Sequence, residues 1–304
     1  MIEVDQLTQR SYPVVRSRHP LRWVSAVLVL AALATIVRAF AEGQIDWPVV
    51  GEFLTAPIIL RGFANTLLIS ALAMTLGLTL GTIFAVMRHS GNPVTSGVAW
   101  LYVWLFRGTP LLLQLLIWFN IALVFPTITI PGLFHANTVE VVTPFVAALL
   151  GLGINEGAYM TEVVRAGINA VDRGQTEAAA ALGMSHMQTL RRIVLPQAMR
   201  IIIPPVGNQA IGMLKFSSLA ATISFSEMLN SAQQVYFVNG AVIELLFVCA
   251  VWYLLATTVL SIIQYFIERH FGRGDARQTS SSRMVDWIGG LADRLRPARA
   301  GQGA

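Results

Sequence analysis

The chain has 304 residues, 55% of them hydrophobic and only 12% charged, with a mean hydropathy of +0.63. That is too apolar and too charge-poor for a soluble globular protein of this length, so a membrane protein is the first expectation. The net charge of +5 comes from arginines scattered between apolar segments rather than clustered with aromatics, which argues against nucleic acid, and the one cysteine, Cys249, excludes an internal disulfide and a cysteine metal site.

A bilayer core of about 30 Å takes roughly 20 mostly apolar residues to cross as a helix. Six windows of that kind run approximately from Trp23 to Phe40, Phe63 to Met87, Val98 to Phe125, Pro144 to Val164, Ile201 to Ser224 and Ala241 to Ile267. The last five carry Gly, Ser, Thr and Pro at a density that suits close helix packing in lipid. The expected fold is an all-α membrane protein, a polytopic helical bundle.

Arginines stay on the cytoplasmic side of such bundles. With the N-terminus inside, the cytoplasmic segments collect Arg10, Arg16, Arg18, Arg22, Arg88, Arg165, Arg173, Arg191, Arg192, Arg200 and seven arginines from Arg269 to Arg299, while the outer segments keep Arg38 and Arg61. Both termini are then cytoplasmic. The first window has an alternative reading as a cleavable signal peptide ending near Ala39-Phe40-Ala41, which leaves the other five spans unchanged. The stretch 268–304 reads as a solvated or lipid-surface tail with a short apolar patch from Met284 to Leu291.

Between the fourth and fifth windows the sequence is too amphipathic for the bilayer and too well punctuated for disorder. Thr176 is expected to cap one short helix, with Glu177 in its first turn and Ala178 to Ala181 as strong helix formers, and Gly183 to stop it. Ser185 and Gln188 form a capping-box pattern for a second helix, with Met187, Leu190 and Val194 on one face, until Pro196 ends or kinks it. Read from the residues alone, an ordinary loop lying on the membrane fits equally well.

The string Glu177-Ala178-Ala179, Gly183, Ile193, Leu195 and Pro196 resembles the EAA loop of ATP-binding-cassette (ABC) importer permeases. Gly62-Phe63-Ala64-Asn65-Thr66-Leu67, Arg107-Gly108-Thr109-Pro110, Ala158-Tyr159, Glu162, Arg165-Ala166-Gly167-Ile168, Gly174-Gln175, Gln197-Ala198, Pro204-Pro205 and Asn208-Gln209 extend the likeness to the polar amino acid branch, over approximately 62 to 265. The resemblance implies a five-span importer core at 62–267, here with one extra N-terminal span, in a bacterial cytoplasmic membrane. It implies that the loop at 172–200 docks on separate ATP-binding subunits, that a second permease chain completes the pathway as a homo- or heterodimer, and that an extracytoplasmic solute-binding protein delivers the solute. Two departures bear on the solute: Lys215-Phe216-Ser217-Ser218 has an aromatic where the family often has an acidic or polar group, and Glu156 with Gly157 stands where small residues are usual.

Ionisable groups at membrane depth are costly and usually face a cavity. Asn155, Glu156 and Tyr159 in the fourth span, with Asn208, Gln209, Lys215, Ser217 and Ser218 in the fifth, are therefore candidates for the translocation path; a structural interhelical ion pair is the alternative for Glu156 and Lys215. Arg107 reads as a structural residue at a bend made by Gly108 and Pro110. Lys215 is the only lysine and Phe216 follows it, so the chain has no phosphate-cradling Gly-Lys-Ser/Thr motif and ATP falls to a partner, with no cofactor expected here. No nucleophile and base or metal cluster is expected within the spans, which argues against an enzyme. A secondary transporter or channel is the rival reading; it has no use for an ATPase-docking loop.

Overall fold

The structure is a computed structural model that describes residues 20–271 apart from Leu133. Residues 1–19 of the expected N-terminal segment and 272–304 of the expected C-terminal tail lie outside the described residues, and 20–22 and 268–271 are helical. Helix α1 (Pro20–Glu42) belongs to a compact unit of its own that ends at Trp47. Its side chains from Trp23 onward are exposed, and Arg38 closes on Glu42 at 2.8 Å.

The second unit begins at Pro48, inside the short helix α2 (Trp47–Leu54). It continues with α3 (Pro57–Arg88), α4 (Pro93–Gly108) and α5 (Leu111–Phe119), then a hairpin of β1 (Thr127–Ile130) and β2 (Phe134–Asn137) with Thr127 opposite Asn137, and a short α6 (Thr138–Val141). After these come α7 (Pro144–Asn169), α8 (Arg173–Ala181), α9 (His186–Thr189), α10 (Leu195–Phe216), α11 (Met228–Asn239) and α12 (Val242–Phe271). Among the described residues three helices are long and apolar enough to cross a membrane, α1, α3 and α12, and the α4–α5 pair makes a fourth if taken as one broken span. Helices α7 and α10 are as long as spans but carry more polar side chains, for reasons the site explains below.

Helix α7 is the axis of the bundle, touching α3, α4, α5 and α10. Its seam with α3 is glycine on both sides. A Cβ on Gly77 would stand 2.7 Å from the Glu156 side chain, and one on Gly81 would collide with Met160. On α7, Gly153 admits Leu76, and Gly157 admits the Tyr102 hydroxyl, which donates to the Ile154 carbonyl at 2.6 Å. Four-residue spacing of small residues lets the two backbones approach closely, which in lipid takes the place of a hydrophobic driving force.

The third apolar window is not one straight helix. It turns by 102° at Gly108-Thr109-Pro110, between α4 and α5. Pro110 lacks the amide that would continue the ladder, so carbonyls are freed at membrane depth and need other donors. Gln114 Nε2 donates to the Phe106 carbonyl at 2.9 Å and to the Thr109 carbonyl at 3.2 Å, and Asn155 Nδ2 donates to Phe106 at 2.8 Å and to Gln114 Oε1 at 3.2 Å. Both amides are buried.

The ends of the bundle are told apart by its chain. At one end His89 Nε2 meets Asn169 Oδ1 at 3.0 Å and Ala85, Val164, Ala198 and Ile202 pack together, so α3 and α7 finish where α10 begins. At the other, α3 starts beside α11: Asn65 Nδ2 donates to the Ser226 carbonyl at 2.8 Å, and Thr66 Oγ1 accepts from the Met228 amide at 3.0 Å.

Candidate functional site

The segment between α7 and α10 is well formed, with three departures from expectation. Asp172, not Thr176, caps α8: its Oδ1 accepts from the Gly174 amide at 2.6 Å, and Thr176 lies within the helix, donating back to the Arg173 carbonyl. Both residues are good caps, and the earlier one wins because it adds a turn to the helix. Gly183 does stop α8, at φ +74, and the Ser185–Gln188 capping box is present in both directions. Pro196 neither ends nor kinks the second helix. Residues 190–194 form a π-helical turn that leads directly into α10, placing Pro196 in the first turn of that helix, where its missing amide costs little. Finally, Met187 does not share a buried face with Val194: Met187 is 57% exposed and Val194 is buried.

On the surface of this segment, Glu177, Ala178, Gly183, Leu195 and Pro196 are exposed, whereas Ala179 is buried. Beside them stand Leu182, 82% exposed, and Met187. Two large apolar side chains that project from a helix-turn-helix flanked by Glu177, Arg191 and Arg192 give the segment the makings of a docking surface. Leu182 was not singled out from sequence. Its position one residue before Gly183, at the outer corner of the turn, was the available signal.

A cleft of about 510 Å³ lies between α7, α10 and the end of α4. Tyr159, Asn208 and Gln209 line it together, as do Arg107 and Glu162. The Arg107 guanidinium lies 5.1 Å from the centre of the Tyr159 ring, a cation–π distance. Glu162 accepts from Arg165 Nε at 3.1 Å. Behind this wall Glu156, 3% exposed, accepts from Gln209 Nε2 at 3.2 Å, so the carboxylate touches the cleft through an amide. This explains the polarity of α7 and α10: they turn it toward the cleft or toward each other.

The remaining candidates lie elsewhere. Asn155 is held at the α4–α5 break. Lys215 is exposed in the last turn of α10, and no ion pair joins it to Glu156 among the described residues. Ser217 and Ser218, in the 3-10 stretch that follows α10, donate back to the carbonyls of Leu214 and Lys215 at its end. Arg107 and Glu162, by contrast, enter the site from outside the expected set. No cluster of three or more His, Cys, Asp or Glu side chains suited to a metal occurs among the described residues.

A helical bundle whose cleft is walled by the two helices flanking an exposed helix-turn-helix segment matches one family model, the inner membrane component of binding-protein-dependent transport systems, over residues 77–273. The chain belongs to that family. It is therefore a multi-pass permease of the transport kind, and its relatives agree. The arginine transport permease of Corynebacterium glutamicum is 42% identical over 271 residues, covering 88% of this chain and 85% of the relative. The glutamine transport permease of Escherichia coli is 33% identical, covering 74% and 97%, and the L-cystine permease of Bacillus subtilis is 36% identical, covering 75% and 92%. Among solved structures, an amino acid ABC transporter crystallised with histidines superposes with a TM-score of 0.66 at 34% identity, over 75% of this permease and all of that chain. A methionine ABC transporter in an inward-facing form shares the fold, with a TM-score of 0.58 at 16% identity over 70% and 96%.

Proposed function

We propose that this permease takes up a polar amino acid, with the α7–α10 cleft as its half of the pathway and 172–200 as the segment that receives force from a separate ATPase. One observation carries the reading. Both walls of the cleft adjoin the docking segment: α7 is tied to α8 by the three-residue turn Ala170-Val171-Asp172, and α9 runs through the π turn into α10 without a gap. A push on the segment therefore reaches Gln209 through continuous helix, which is stiff, and Tyr159 across one short turn. ATP is bound and hydrolysed by the partner subunits. A second permease chain closes the open side of the cleft, and an extracytoplasmic binding protein delivers the solute.

The cleft suits a zwitterion because it offers both signs, Arg107 for a carboxylate and Glu162 for an ammonium. Glu156 suits a cationic side chain such as that of arginine, the solute for which one relative is named. In this topology the core contributes five spans and α1 a sixth, with both termini in the cytoplasm.

The test is a mild-detergent pull-down of the tagged chain from membranes. Glu177→Lys, which reverses the exposed charge, and Gly183→Asp, which strains the left-handed turn, are expected to insert normally but to lose the ATPase subunits and uptake. Recovery of the chain alone, still transporting without ATP, would establish a secondary carrier instead.

A further inference from the structure

A second cleft, of about 440 Å³, opens at the opposite end of the bundle from the docking segment, between the start of α3 and α11. On the topology proposed above it faces the outside. Its walls include Arg61, Asn65, Ser226, Ser231 and Gln234. We propose that this cleft is an outer binding site for the α-carboxylate and α-ammonium of an amino acid, distinct from the α7–α10 cleft.

The chemistry is that of a zwitterion's head. Arg61 has no ion-pair or hydrogen-bond partner among the described residues, and it is the only cationic side chain in the lining. Its planar fork matches a carboxylate in bidentate fashion. Ser231 is 4% exposed, yet its hydroxyl makes no hydrogen bond among the described residues. No buried side-chain oxygen among the described residues lacks a partner, so this hydroxyl keeps its exposure at the cleft and stands there as a second donor beside Arg61. The two amides supply the complementary half. Asn65 Nδ2 is committed to the Ser226 carbonyl at 2.8 Å and Gln234 Nε2 to Asn230 Oδ1 at 2.8 Å, so each leaves its oxygen as the free atom, an acceptor suited to an ammonium.

The site is also built to keep its shape. Gly62 lets α11 lie against α3, where a Cβ would meet the Met228 Cα at 2.9 Å. Glu227, fully buried, caps α11 through the Asn230 amide at 2.7 Å and accepts from Tyr253 on α12 at 3.1 Å and from Thr66 on α3 at 3.4 Å. Three helices thus hold one carboxylate, and the cleft wall with it. A site pre-shaped in this way loses little freedom when it binds.

The proposal rests on the amino acid reading above, and its test separates the two. The whole transporter, with its ATPase subunits in nanodiscs, carries Ile58→Cys in the cleft wall; the native Cys249 is the only other cysteine and is 4% exposed. A neutral thiosulfonate then labels position 58. L-Arginine and L-glutamine are each expected to slow labelling, by about tenfold at ten times their Kd. Agmatine, which keeps arginine's chain without its carboxylate, leaves the rate unchanged, and adding Arg61→Ala abolishes protection. Three results would overturn the outer site: no protection by either amino acid up to about 10 mM, well above a millimolar Kd; equal protection by agmatine; or protection only on adding the solute-binding protein, which would make the cleft a docking contact. If position 58 fails while amino acid uptake is normal, the outer site alone falls. If the complex moves no amino acid at all, the parent reading falls with it.

Discussion

Glu156 and Asn155 are neighbours in sequence and diverge in use. Asn155 donates into the α4–α5 break, and Glu156 accepts from Gln209 at the cleft. Asn155→Ala is expected to lower thermal stability by about 1–3 kcal/mol, the cost of leaving the buried Gln114 Oε1 without its donor, with no change in half-saturating solute concentration. Glu156→Gln should do the reverse: melting is little altered, while half-saturation for arginine rises about tenfold, equivalent to roughly 1.4 kcal/mol, and that for glutamine moves much less. Uptake measured with both solutes, beside melting curves, separates the two roles; equal shifts for arginine and glutamine would remove Glu156 from selectivity. Nothing in the sequence distinguishes these two side chains. Both are polar residues in an apolar helix, and successive helix positions lie about 100° apart, so which one meets the break depends on the rotation of α7 against α4.

Where local chemistry decides, the elements were legible. Ser185, Gln188 and Gly183 act through atoms within a few residues, and each does what its type requires. Asp172 and Thr176 compete for one cap, a contest that depends on how far α7 runs before the chain turns. The hairpin at Thr127–Asn137 went unforeseen although Thr127-Ile128-Thr129-Ile130 alternates and Pro131-Gly132 follows; the apolar run that ends at Phe125 masked it. The π turn has no sequence signature beyond Pro196, and it is the element with the sharpest expected consequence. Deleting Ile193 would remove its extra residue and rotate the docking segment by about 100° relative to α10. Solute-stimulated ATP hydrolysis is expected to vanish while the basal rate persists, as read by phosphate release in nanodiscs; intact stimulation would mean that the turn plays no part in transmission.

Across the bundle, the hydropathy windows found the long helices, took the broken α4–α5 pair for one span, missed α11 between the last two windows, and could not find the contacts. The α3–α7 seam depends on glycines that any membrane helix tolerates, and only their meeting across two helices gives them meaning. Gly81→Leu would drive a side chain into Met160, and overpacking of this kind typically costs about 1–3 kcal/mol. The expected result is a lower melting temperature and reduced yield, whereas the same change at Gly97, which has open space around it, is tolerated.

The uninterrupted path from α9 through the π turn into α10 has a thermodynamic corollary. Linkage is reciprocal: whatever factor the ATPase's grip on the docking segment applies to solute affinity in the cleft, the solute must apply to the ATPase's affinity for the segment. On the proposed reading, the permease is then also a sensor. An occupied cleft would tighten or loosen the motor beneath it before any nucleotide is hydrolysed, by a factor set by how strongly this one helix correlates its two ends.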